Sequence, residues 1–167
     1  MFGLTSLGVV HTAISLMAVV AGIIALLRYR QITSQNLVGQ VYVFTTLLTC
    51  VTGFGIFQHG GFGKPHMLGI ITLIALGVAL VAERTQVFGK WSPYLSTVSY
   101  SATFLFHWIP AITETSTRLP PGAPLLASAE APELQMAAGL LFGLFLVGTT
   151  LQVLALRKAA AAPGQCK

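Results

Sequence analysis

The sequence contains no aspartate and only four glutamates in 167 residues, and charged residues make up 8% of it. An average soluble domain is roughly 25% charged, so this chain cannot clothe a water-facing surface of ordinary size and a soluble globular fold is ruled out. Without Asp, and without a GxSxG, a histidine has no acid to orient it for serine-hydrolase chemistry. There is no HExxH and no CxxC, which removes the metalloprotease motif and thiolate zinc sites. The two cysteines, Cys50 and Cys166, fall at different depths and are not expected to pair. The nine cations are scattered singly and in pairs, with no basic stripe and no aromatic interleaving, so a nucleic-acid partner is not expected.

What the chain does hold is apolar sequence: 54% of its residues are hydrophobic and its mean hydropathy is +0.80. Crossing roughly 30 Å of hydrocarbon takes about 20 mostly apolar residues. Residues 3–27, 37–57, 66–82, 94–112 and 134–156 meet or approach that length, and none of these spans contains Asp, Glu, Lys or Arg. The expected fold is therefore all-α: an integral membrane bundle of five transmembrane helices with a lipid bilayer as its solvent. Residues 1–158 form a single domain and 159–167 a short cytoplasmic tail. With no intramembrane carboxylate, the ferritin-like di-iron pattern and the acidic relay of proton-driven transporters both lack their residues.

The short connections make consecutive helices antiparallel neighbours. If the first and third connections and the tail share one side, that side holds Arg28, Arg30, Arg84, Lys90, Arg157, Lys158 and Lys167, and the other only Lys64 and Arg118. The positive-inside rule then predicts the N-terminus out and the C-terminus in, in a plasma (inner) membrane. No basic residue precedes the first apolar run and Arg28-Tyr29-Arg30 follows it, so this helix is expected to stay in the mature protein. The proline-rich 119–124 segment should run over the outer surface and cap the bundle. Gly139 and Gly143 form a GxxxG pair that permits close helix approach, expected first against the chain's own helices and second in a homodimer or larger complex.

Polar residues recur at helical spacing. Ser96, Tyr100, Thr103, His107 and Glu114 share one face of the fourth span, although Pro110 should disturb its last turn, and Tyr42, Thr45, Thr49, Thr52 and His59 share one face of the second. All four histidines fall toward the outer side. His11 lies roughly 12 Å below the outer end of its helix and His107 roughly 8 Å below, while His59 and His66 flank the turn at 60–65. An imidazole in hydrocarbon needs a partner, and three readings account for these. The first is hydrogen bonding to Ser, Thr or Tyr of a neighbouring helix. The second is b-type haem held by His11 and His107, with His66 substituting for either, Tyr100 and Thr103 orienting a ligating ring, and Phe104, Phe106 and Trp108 around the macrocycle. The third is a Zn, Cu or Fe ion on some of His11, His59, His66 and His107, with Glu114 as carboxylate ligand. Glu114 and Arg118 also read as an i,i+4 pair.

Val10-His11 with Gly22 downstream, Leu37-Val38-Gly39-Gln40-Val41-Tyr42-Val43 with Gly53, and Thr113-Glu114-Thr115-Ser116-Thr117-Arg118-Leu119-Pro120 resemble motifs of uncharacterised families of small bacterial multi-helix membrane proteins. The resemblance covers roughly the first 120 residues. These families are compared with cytochrome b-type bundles, which implies histidine-ligated haem b and electron transfer with a quinone or an extracytoplasmic acceptor. Members usually carry a His just before the second helix, where this chain has Gln35 and Asn36, so the resemblance implies a single haem near the outer face. The alternative function is a non-catalytic divalent-metal-binding or small-solute membrane protein using the outer histidines, or an accessory subunit of a larger membrane complex.

Overall fold

The computed structural model describes residues 5–57 and 61–161. Among these the fold is all-α, with no strand: α1 (Ser6–Tyr29), α2 (Leu37–Gly53), α3 (Lys64–Thr85), α4 (Ser92–Arg118) and α5 (Pro132–Ala161), with a 3-10 turn at Gly89–Trp91 leading into α4. Three of these helices, α1, α3 and α5, are long and apolar enough to cross a membrane, and α2 is a shorter apolar helix of 17 residues.

The helix ends follow from local chemistry. The Thr5 hydroxyl accepts the Gly8 amide at 3.1 Å and opens α1, and the Asn36 side chain accepts the Gly39 amide at 2.9 Å and opens α2. At the start of α3, Gly63 donates its amide to His66 Nδ1 at 3.2 Å, and Pro65, which has no amide hydrogen to leave unpaired, occupies the first turn. α1 and α3 both stop on left-handed residues that are not glycine, Arg30 (φ 62°) and Gln86 (φ 53°).

Several spans differ from the sequence expectation. α2 ends at Gly53, four residues before the expected end at 57, where Phe54 closes it onto Cys50 O and the chain turns through Gly55. α3 continues past Ala82 to Thr85, so Glu83 is helical and not part of a loop. α4 continues through Pro110 to Arg118: proline costs one backbone bond, and the hydroxyls of Thr113 and Thr117 fold back onto Ile109 O (2.9 Å) and Thr113 O (2.8 Å) in the turns that follow. The chain after α4 turns back on the end of that helix, through Leu126 N–H to Ser116 O at 2.9 Å.

α4 is the hub, packed against α3, α5 and α1, with α1 against α2 and α2 against α3. Hydrogen bonds fix the directions. Glu83 near the end of α3 meets Thr33 and Ser34 between α1 and α2, and Tyr100 in the first half of α4, while Gln152 late in α5 donates to Arg30 O at 2.9 Å and accepts from Ser101 Oγ at 2.9 Å. The helices therefore alternate up and down. The interior is small or hydroxylic (Ala18, Ala21, Ala25, Ala79, Thr46, Thr103, Tyr42, Tyr100), and the large apolar side chains such as Leu16, Phe44, Ile74, Leu140 and Phe142 point outward. Soluble monomers rarely expose apolar surface on this scale.

Candidate functional site

The site is a file of polar groups along the buried faces of α2 and α4, with α1 and α3 supplying its two ends. Tyr42, Thr45, Thr46 and Thr49 of α2 and Ser96, Tyr100, Thr103 and His107 of α4 are buried, so the helical spacing of these residues does mark the interior. α1 comes close because it has no side chain at Gly22: a Cβ there would stand 2.6 Å from Phe104 and 3.1 Å from Tyr42.

At one end are two imidazoles, one from α1 and one from α4, each bonded to a threonine of α2. His11 Nδ1 lies 3.0 Å from Thr52 Oγ1. The Thr52 hydroxyl donates its own hydrogen to Leu48 O at 2.8 Å, so Nδ1 must be the donor, and in the neutral ring Nε2 is left as a lone-pair acceptor. The ring rests against Gly53, where a Cβ would meet His11 Cε1 at 3.2 Å. His107 instead uses Nε2, 3.0 Å from Thr46 Oγ1, and packs edge-on to Tyr42 with centroids 6.1 Å apart.

His66, in the first turn of α3, is stacked between Phe57 and Phe62 at 5.0 and 5.1 Å. Its Nδ1 accepts the Gly63 amide, which places the proton of the neutral ring on Nε2, and that Nε2 is buried and unpartnered. A protonated Nε2 is a donor and not a metal ligand. His59 lies outside the described residues. Glu114 is ion-paired with Arg118 on the same helix, as its spacing indicates. Among the described residues no three His, Cys, Asp or Glu side chains come together as a metal-binding group.

The hydroxyls of Tyr100 and Thr103 go to partners other than the His107 ring. Thr103 donates to Tyr100 O at 2.8 Å, so the Tyr42 hydroxyl, 2.8 Å away, donates to Thr103. Tyr100 Oη donates to Glu83 Oε2 at 2.8 Å. Glu83, which drew no attention as a site residue in the sequence, gathers the other end of the bundle. Its carboxylate accepts from the Thr33 hydroxyl, from the Ser34 amide at 3.1 Å to each oxygen, and from Ser34 Oγ at 2.6 Å. Four donors from the α1–α2 connection and α4 thus fill the acceptor positions of one charge. The absence of any Gly or Pro between Ala82 and Thr85 was the available sign that the helix runs on to carry it.

The GxxxG pair is open: nothing lies within 4 Å of a Cβ built at Gly139 or Gly143. The expected packing of these glycines against the chain's own helices is therefore not what the structure has, because α5 turns other residues, Gln152 and the buried Leu134 and Thr149 among them, toward the bundle.

Compared with known proteins, the chain matches no family model, no curated protein and no solved structure.

Proposed function

We propose that this chain is a multi-pass plasma-membrane protein, N-terminus out and C-terminus in, that binds a redox cofactor, haem b, near its outer face through His11. The carrying observation is the anchored ring of His11: Nδ1 lies 3.0 Å from Thr52 Oγ1, whose own hydrogen goes to Leu48 O, so that Nδ1 donates and Nε2 is the nitrogen left to ligate. A histidine that ligates a metal through one nitrogen holds its ring in place by the hydrogen bond of the other. His107, whose Nε2 is bonded to Thr46, would be the other residue holding the group. His66 does not fit as a substitute, because its Nδ1 accepts an amide hydrogen. When bound, haem supplies one-electron chemistry, here with a quinone or an extracytoplasmic acceptor. The orientation is supported by charge: Arg28, Arg30, Arg84, Lys90, Arg157 and Lys158 belong to the end of the bundle that holds Glu83.

The test is an absorption spectrum of detergent-purified protein, oxidised and dithionite-reduced, before and after addition of haem. A Soret band that is lost in His11→Ala and kept in His66→Ala is expected. A colourless protein that takes up no added haem overturns the assignment.

A second reading has its own observation. Both imidazoles are already bonded to threonines of α2, which is what histidines that only fasten helices in a non-catalytic membrane subunit would do. In that case His11→Ala and His107→Ala lower the melting temperature and change no spectrum.

A further inference from the structure

At the end of the bundle that holds Glu83, a cavity of about 180 Å³ opens beside the start of α4. Its polar lining includes Gln31, Gln86, Ser92, Ser96 and Thr97. Ser92 is only 1% exposed, and its hydroxyl is buried without a partner. No side chain caps α4 here, and Pro93 contributes no amide hydrogen, so the positive end of a 27-residue helix dipole lies beside this region. A second hollow of about 240 Å³ lies along α4 and α5, lined by Val98, Val153, Leu154, Thr149, Thr150 and Arg157. Thr97 and Leu156 line the first hollow, and their sequence neighbours Val98 and Arg157 line the second. The two therefore adjoin neighbouring positions along α4 and α5.

We infer that the two hollows together form a site for an anionic glycerophospholipid whose headgroup carries free hydroxyls, a phosphatidylglycerol in chemistry. The inference rests on the membrane-spanning reading and is independent of haem. The apolar groove of Val98, Val153 and Leu154 takes an acyl chain, Arg157 takes the phosphate, and the Ser92 hydroxyl with the other hydroxyls and amides of the first cavity takes the glycerol. A headgroup amine is not what the site offers to hold. Glu83 is the carboxylate that lines the cavity, and its acceptor positions are filled by Thr33, Ser34 and Tyr100. At about 180 Å³ the cavity is below the roughly 300–1,000 Å³ of pockets that enclose drug-sized ligands, so it suits a headgroup and excludes a macrocycle.

The experiment is native mass spectrometry of the full chain in detergent, with phosphatidylglycerol, phosphatidic acid, phosphatidylethanolamine and phosphatidylcholine of one acyl composition, and with free glycerol. Alkaline extraction of the membranes comes first. A chain released by alkali fails the membrane-spanning reading itself, whereas a retained chain with no lipid preference overturns only this inference. Phosphatidylglycerol is expected to be retained about fivefold more than phosphatidylcholine, the worth of roughly one cation at a membrane surface, and also above phosphatidic acid and phosphatidylethanolamine. Arg157→Gln should remove the advantage over phosphatidylcholine. Because Arg157 is exposed, this variant does not disturb the core, and unchanged helical circular dichroism checks that. Ser92→Ala should bring phosphatidylglycerol down to the level of phosphatidic acid. Equal retention of phosphatidylglycerol and phosphatidylcholine, equal retention of phosphatidylglycerol and phosphatidic acid by the unmodified chain, or binding of glycerol with no lipid would each overturn the assignment.

Discussion

Glu83 is a formal charge whose hydrogen-bond partners are three hydroxyls and one amide, drawn from two other parts of the chain. Hydrogen bonds to a charged group contribute about 1.5–3 kcal/mol each, and they are coupled here through a single carboxylate. Glu83→Gln keeps the shape but turns an NH2 donor toward donors, and it should lower stability by roughly 2 kcal/mol, read as a fall in the melting temperature of the detergent-solubilised protein. An unchanged melt would show that the carboxylate is not what fastens the α1–α2 connection. Gln86 offers the opposite experiment: it holds φ 53° at the end of α3, a conformation glycine adopts freely, so Gln86→Gly should raise stability by about 0.5–1 kcal/mol in the same assay. The histidines were legible as residues in need of partners, but their partners were not. His11 and Thr52 stand 41 positions apart and His107 and Thr46 stand 61 apart, so neither bond, nor the tautomer that each imposes, follows from local spacing.

At the scale of elements, α4 carries the lesson about reading this sequence. The face Ser96, Tyr100, Thr103, His107 was visible from helical periodicity and is buried. The end of the helix was not visible, because proline marks a break in the backbone ladder and says nothing about whether neighbouring helices hold the next turns in place. α2 shows the converse error. Its apolar run continues to Phe57, yet the helix ends at Gly53, since apolarity marks burial or lipid and not helical geometry. The entry to α2 depends on one glycine. A Cβ at Gly39 would stand 1.7 Å from Thr33 O, a backbone atom of the same connection that Glu83 anchors. Gly39→Ala is therefore expected to cost about 3 kcal/mol or more and to cut the yield of folded protein, whereas Gly139→Ala, with nothing within 4 Å, should leave a monomer's melt unchanged.

For the whole molecule, composition alone carried the all-α architecture, and the alternation of the helices followed from short connections. The proposed orientation is open to a direct check. In a Cys166→Ser background, with Cys50 buried, Ser128→Cys should react with a membrane-impermeant maleimide in intact cells, and Thr85→Cys only after permeabilisation; the reverse pattern would invert the topology. The placement of polarity also bears on how such a chain is made. α4 holds Ser96, Tyr100, Thr103 and His107, and at 27 residues it is long enough to cross a membrane but less apolar than α1, α3 and α5. On the translocon scale each polar residue near the centre of a segment weighs against its release into lipid. With the proposed five-span topology, α4 would have to leave the insertion channel already paired, and α3, made just before it and bearing the Glu83 that Tyr100 satisfies, is the helix positioned to escort it. The polar seam that fastens the bundle would then also set an order of assembly, in which the third and fourth helices enter the bilayer as one hairpin.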